Sequence, residues 1–333
     1  MSLPLQAPVP SWLAGAWESL QRAIASDRLA HALLLQVAPG IGGDWLAARL
    51  AARLLCRERD AGTAPCGHCI DCRRVAQGEH PDCSFLHLEE DSREIKIDQV
   101  RALAAELALS AHGGGHKIGV ISPADQLNRA AANALLKTLE EPTRGTLLVL
   151  VDSGRHRLPA TVLSRCTRLA ARSPDRATAI AWLRQHAAAD GDWEAIVDAL
   201  GPAPFAALAA DAPAAAQVAA QTRATLAALQ SGGVDPVRTA EAWGKEHHAL
   251  RLRCIENWIT DRVVAWATGS PRAQMRAAPH LSSSREAPNI QALFGLLDAV
   301  REARALADAP LNKVLVLERL LWRLAAAGGE RGG

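Results

Sequence analysis

Residues 32–55 read ALLLQVAPGIGGDWLAARLAARLL. The opening run Ala32-Leu33-Leu34-Leu35 is short and apolar, and Pro39-Gly40-Ile41-Gly42-Gly43 follows it. From Trp45 to Leu55 apolar residues return at helical spacing. A strand, a glycine-rich turn and a helix in that order begin a parallel α/β sheet. Upstream, Trp12, Trp17, Leu20, Ile24 and Leu29 predict an amphipathic helix over residues 12–31. Downstream, apolar runs predict strands at 84–88, 117–121, 146–151 and 166–170. Helices are expected between them at 98–109 with Asp98 as N-cap, at 128–141 ended by Pro142, and at about 159–165. Beyond Arg172 the β-branched runs stop and an all-helical stretch extends to about Ala327. Breaks are expected near 191–192, 201–202, 232–235, 268–276, 282–288 and 309–310. The alanine-rich segment 203–216 reads as a helix start rather than a linker.

A chain of 333 residues holds two or three domains. With 49% apolar and 22% charged residues it is globular, which excludes wholesale disorder. The net charge of +2 excludes a strongly basic coat for nucleic acid. No apolar run is long enough for a membrane span. The start MSLPLQAPVPSWL lacks the basic and apolar regions of a signal peptide, so a cytoplasmic protein is expected. With nine Trp, three Phe and no Tyr, a stacking platform for single strands is not expected.

The glycine-rich turn invites comparison with a phosphate-binding loop, G-x-x-x-x-G-K-[ST], whose Lys reaches phosphate oxygens and whose hydroxyl holds Mg²⁺. The frame here is Val37-Ala38-Pro39-Gly40-Ile41-Gly42-Gly43-Asp44. Gly43 stands where Lys is required and Asp44 where the hydroxyl is required; a carboxylate there would repel a triphosphate. An ordinary strand-to-helix turn is the competing reading of this segment. The acidic pair expected after the 117–121 strand of a working ATPase is replaced by Ser122-Pro123. ATP is therefore not expected to bind.

Seven cysteines, an odd number, argue against a disulfide framework. Cys66, Cys69 and Cys72 form C-x2-C-x2-C, with Cys56 ten positions upstream. Four thiolates suit a closed tetrahedral Zn²⁺ site, which stabilises a fold and rarely catalyses. His68 and His80 are alternatives for the fourth ligand, and an iron–sulfur cluster or a redox pair is the rival chemistry. Cys83, Cys166 and Cys254 read as buried small hydrophobes. No Ser–His–Asp or paired-carboxylate pattern stands out. In the last helix, Leu311, Val314, Leu315, Leu317, Leu320, Leu321 and Leu324 form a broad apolar stripe, suited either to an internal core or to assembly.

Five features then converge: Arg28-Leu29-Ala30-His31-Ala32, the four-cysteine module, Asn133-Ala134-Leu135-Leu136-Lys137-Thr138-Leu139-Glu140-Glu141-Pro142, Leu158-Pro159, and Ser164-Arg165-Cys166. Over about 25–170 the chain resembles the clamp-loader subunits of bacterial DNA polymerase III, a branch of the AAA+ ATPases. That resemblance implies a RecA-like α/β domain with the zinc module at 56–72 (residues 1–170), a small helical lid (171–206) and a helical collar used in ring assembly (207–333). The ATP-hydrolysing members, gamma and tau, keep the Lys-Thr and Asp-Glu pairs that Gly43-Asp44 and Ser122-Pro123 replace; Asp152-Ser153 stands in place of their threonine sensor. The resemblance therefore implies a non-hydrolysing stator in a hetero-pentameric ring with gamma/tau and delta subunits. Arg165, flanked by Ser164 and Cys166, would be the arginine finger supplied in trans to a neighbour's ATP. The sliding clamp and primer-template DNA would be met through the complex, with no membrane involved. The alternatives are a gamma/tau-like ATPase and a stand-alone zinc-bearing DNA-binding module.

Overall fold

A computed structural model describes residues 3–58, 62–89, 92–112, 115–154, 157–187, 191–209, 212–268, 290–305 and 312–328. The expected breaks at 282–288 and 309–310, all but the first residue of that at 268–276, and Leu311 lie outside the described residues. The chain divides into two compact units, residues 1–178 with 203–206, and residues 179–202 with 207–333.

In the first unit, strands β1 (Ala32–Val37), β2 (Cys83–Leu86), β3 (Lys117–Ile121), β4 (Thr146–Asp152) and β5 (Thr167–Ala171) form one sheet in the order β2-β3-β4-β1-β5. Every neighbouring pair is parallel. β3 and β4 are buried along their whole length, as parallel strands covered on both faces must be. The register aligns Leu34 with Leu150 and Ile121 with Leu150, so these three share one face of the sheet. That face packs under α4 (Ile97–Leu107), α5 (Arg129–Glu140) and the single turn α6 (Ala160–Leu163), through Val100, Leu103, Leu135, Leu139 and Val162. The other face carries α2 (Gly43–Leu55), which packs against β1, β3 and β4. Beside it α1 (Ser11–Ala25) meets β5, and α3 (Ile70–Gln77) packs on α2. Gly119 lets α4 approach, since a Cβ there would stand 2.9 Å from Leu107 Cδ1.

Two tryptophans hold a buried cation on the α2 side. The Arg49 guanidinium lies 4.7 Å from the Trp17 ring and 5.2 Å from the Trp45 ring, and donates to the carbonyls of Leu5 and Ala7. Burial lowers its pKa to about 10, so it stays charged at neutral pH and ties the N-terminal segment to the helix.

The second unit is helical: most of α7 (Arg176–His186), then α8 (Trp193–Leu200), the end of α9 (Pro204–Ala209), α10 (Ala212–Gln230), α11 (Pro236–Lys245), α12 (His248–Thr268), α13 (Ile290–Ala305) and α14 (Lys313–Gly328). Asp192 and Asp235 cap α8 and α11 by accepting N–H bonds from Ala195 and Val237. Its core gathers Leu226, Trp243, Ile255, Ile259, Val300 and Leu321. Of the apolar stripe on α14, Leu317, Leu320, Leu321 and Leu324 are buried in that core, whereas Leu315 stands 61% exposed.

Several expectations are corrected. The first helix ends at Ala25 rather than 31, because Asp27 takes a left-handed conformation (φ 54°) that a helix cannot continue through. Lys96, not Asp98, flanks the start of α4; its N–H donates to Gln99 Oε1 at 2.9 Å. Helix α3, formed inside the cysteine module, was not anticipated from apolar spacing. β2 starts one residue earlier than expected and ends two earlier, and β5 is displaced by one residue, placing Cys83 inside the sheet and Cys166 just before it.

Leu34 is fully buried on β1, between β4 and β5. Leu34→Ala is expected to cost about 2–5 kcal/mol, measured as a lowered unfolding midpoint by circular dichroism.

Candidate functional site

The C-terminal edge of a parallel sheet is where such folds bind ligands, and the glycine-rich loop lies there, between β1 and α2. Gly40 (φ 78°) and Gly42 (φ 105°) both adopt left-handed conformations that favour glycine. The space above and below this loop is filled by the chain itself. Residues 203–206 belong to the first unit, and the N–H groups of Phe205 and Ala206 donate to Gly40 O at 2.9 and 3.2 Å. The Phe205 ring lies against Gly42, where an added Cβ would come within 2.5 Å of it, and its centroid is 5.7 Å from that of Trp45. Trp12 Nε1 donates to Ile41 O at 2.8 Å. Beneath the loop, a Cβ on Gly43 would meet Val37 Cγ2 at 2.7 Å and Val151 Cγ1 at 2.8 Å, both on stiff β-branched side chains. The position that carries lysine in a phosphate-binding loop is thus packed onto the sheet.

The rest of this edge is closed by polar pairs. Asp125, buried, accepts the Ser153 N–H at 3.0 Å and the Ser153 hydroxyl at 2.7 Å. Asp152 accepts from Gly154 N at 2.8 Å and from Gln36 Nε2 at 3.2 Å. The Ser122 N–H donates to Leu86 O at 3.0 Å, and no acidic side chain stands at 122 or 123.

The opposite edge gathers the remaining motif segments. Arg165 Nη2 is 2.6 Å from Glu140 Oε1 at the end of α5. Arg165 Nη1 donates to Thr161 O at 2.9 Å and to Ser164 Oγ at 3.2 Å. The His31 ring meets Leu139 O at 2.9 Å, which requires its Nε2 to carry the proton. Cys166 is half-buried, and burial pushes its thiol up to about 11. Glu140 and His31 belong to the motif segments, yet spacing alone shows only a helix-end charge and a residue before a strand. Phe205 lies far along the sequence and left no signal at all.

The cysteine module is the third grouping. Cys56, at the end of α2, and Cys66, Cys69 and Cys72 bring their sulfurs within 4.8 Å of one another, with Cys66 and Cys72 3.9 Å apart. Metal–sulfur bonds of about 2.3 Å in a tetrahedron place the sulfurs roughly 3.8 Å apart, so this donor set fits a metal ion. Cys66 Sγ accepts from Cys69 N, and Cys69 Sγ caps α3 by accepting from Cys72 N, both at 3.4 Å. Burial raises the Cys56 and Cys72 thiols. At Cys69 burial acts in the same direction, but hydrogen bonds from the Cys72 and Arg57 backbone outweigh it and bring the thiol to about 7. Asp71 braces the module, pairing with Arg57 Nε at 2.7 Å and His80 Nε2 at 3.4 Å. His80 Nδ1 accepts from Asp82 N, so both its ring nitrogens face partners other than the sulfurs. His68 is exposed and sits 3.1 Å from Glu58; with Cys66, which is also one of the four thiols, these form a second grouping of possible donors. All seven cysteines are free, and Cys83 and Cys254 are buried as expected.

The sequence profile of the family described as "DNA polymerase III, delta subunit" matches residues 13–175. The chain is 32% identical to DNA polymerase III subunit delta' of Pseudomonas aeruginosa over 97% of this chain and 99% of that protein. It is also 32% identical to subunit delta' of Escherichia coli, over 94% of each. The likeness to Escherichia coli DNA polymerase III subunit tau is confined to 44% of this chain and 22% of that protein, at 34% identity.

The packing beneath Gly43 carries an expectation. Installing the missing chemistry alone, as Gly43→Lys with Asp44→Thr, is expected to leave fluorescent ATP unbound and to lower thermal stability. Nucleotide binding by that double variant would show that the filled loop is no barrier.

Proposed function

The chain belongs to the DNA polymerase III subunit delta' family, and on that premise we propose that it is the non-hydrolysing subunit of a bacterial clamp loader, lending Arg165 to the ATP site of a neighbouring gamma or tau subunit. The observation that carries this reading is the placement of the two motif sites on opposite edges of one parallel sheet. The glycine loop follows β1, whereas Arg165 precedes β5 and lies level with the start of β1. The six residues of β1 separate them, about 20 Å. Arg165 therefore cannot reach a nucleotide held by its own loop; any phosphate it touches belongs to another chain. An arginine given in trans stabilises charge in the transition state and is worth about 10³–10⁵ in rate in GTPases.

In this reading the filled loop and the missing acidic pair leave the subunit without hydrolysis of its own. It acts as a stator in a hetero-pentameric ring with gamma/tau and delta subunits, supporting the loading of a sliding clamp on primer-template DNA in the bacterial cytoplasm. Residues 1–170 serve as the RecA-like domain, 171–206 as a lid and 207–333 as the collar that joins the ring. Among the described residues no helix is long and apolar enough to cross a membrane. Cys56, Cys66, Cys69 and Cys72 hold one structural zinc, which stiffens the base from which the arginine projects. Four thiolates around zinc leave no open position for catalysis.

The test is a complex reconstituted with its ATPase subunits, sliding clamp and primed DNA, in which the other ATP sites are disabled through their own P-loop lysines. Arg165→Ala is expected to slow hydrolysis at the adjoining site by about 10³, with ring assembly intact by native mass spectrometry. Unchanged turnover would refute the assignment. The partial likeness to tau keeps an ATP-hydrolysing reading in play; it requires the lone chain to bind and turn over ATP. A stand-alone DNA-binding module would instead bind DNA without partners and with steep salt dependence.

Metal analysis is expected to return one zinc per chain. Cys72→Ser should lose it and lower the unfolding midpoint, and loading should fall as pH drops and the thiols re-protonate.

A further inference from the structure

Among the sequence motifs the finger reading leaves unassigned are residues 28–32, and residues 133–142 on and after α5. The first meets the end of α5 through His31, and Glu140 at that helix end meets Arg165, on the edge of the sheet opposite the glycine loop. The His31 ring donates to Leu139 O at 2.9 Å, where the carbonyls at the end of α5 lack helical partners. The next residue, Glu140, accepts from Arg165 Nη2 at 2.6 Å. The neighbouring turn takes the other guanidinium nitrogen, through Thr161 O at 2.9 Å and Ser164 Oγ at 3.2 Å. His31 is itself anchored, because its carbonyl accepts the β4 N–H of Leu148 at 2.7 Å.

We infer that Glu140 is a positioning residue for Arg165, and that His31 holds the helix end on which Glu140 stands. This rests on the reading of Arg165 as a finger and extends it by naming what aims it. An exposed ion pair contributes little to stability, so stability does not explain the arrangement. Its physical effect is on freedom: arginine has a long side chain that loses much rotamer entropy when ordered. Here both terminal nitrogens are fixed from two directions, while the side chain remains 36% exposed for a phosphate. Groups held before the reaction need no reorganisation when charge develops. The three motif segments, separate in sequence, thus form one relay from β4 through His31, the end of α5 and Glu140 to the guanidinium.

The experiment uses the single-site complex described above and separates kcat from KM for ATP. Glu140→Ala is expected to lower kcat by about tenfold to a hundredfold, the upper figure being the cost of a misplacement of about 1 Å, with KM within about twofold. Glu140→Gln, which keeps an acceptor oxygen, should recover much of it. His31→Ala should lower kcat in the same direction, and His31→Gln, which keeps a donor, should restore it. In an Arg165→Ala background, Glu140→Ala should add nothing. Wild-type or raised kcat in Glu140→Ala, or losses that multiply with Arg165→Ala, would overturn the inference. If Arg165→Ala is costly and Glu140→Ala silent, only this inference falls. If Arg165→Ala is itself silent, the finger reading falls and takes it along.

Discussion

A parallel sheet has two unlike edges, and the arrangement of this protein depends on that fact. All five strands run the same way, so every strand delivers its chain to one edge and receives it at the other. The edge of strand ends collects the glycine loop, Ser122-Pro123 and Asp152-Ser153. The edge of strand starts collects His31, the end of α5 and Ser164-Arg165-Cys166. The hydrogen-bond register of β1 against β5 sets the distance between them, and no side-chain rotation can shorten it. A residue chemistry that needs both edges must draw them from two molecules.

The glycine loop illustrates what happens to a binding site whose binding residues are gone. A phosphate loop keeps its interior open because the ligand fills it; without a ligand an open apolar space is a cavity, and cavities are destabilising. Here Phe205 covers the loop from one side and Val37 and Val151 support it from the other. Gly40 and Gly42 keep left-handed conformations, while a Cβ added at Gly42 or Gly43 would meet Phe205, Val37 or Val151.

The cysteine module follows a different rule. Two buried and two half-buried thiols converge, and burial opposes ionisation of the buried pair, Cys56 and Cys72. Such a grouping gains its stability when a cation replaces the protons. The brace from Arg57 through Asp71 to His80 lies outside the sulfurs and ties together the segment from the end of α2 to α3 that carries them. It leaves the two histidines, each plausible by spacing, in supporting positions.

Periodicity and composition determined a good deal. Apolar runs bounded by turns located β3 and β4 within a residue, and the start of β1, because parallel strands buried on both faces cannot hide their pattern. The replacements at Gly43-Asp44 and Ser122-Pro123 were legible because phosphate chemistry requires particular residue types. The C-x2-C-x2-C spacing was legible for the same reason. The short α3 was not, since it is held by sulfur caps and by packing on α2 rather than by an apolar stripe. The break at Asp27 is not legible in the sequence, because a single left-handed residue leaves no periodic trace. What only the tertiary structure decided is which distant residues meet: Phe205 over Gly42, His31 under Leu139, Glu140 against Arg165. Contacts of that kind are settled by register and by the direction of packing between elements, and no local pattern of residues encodes either.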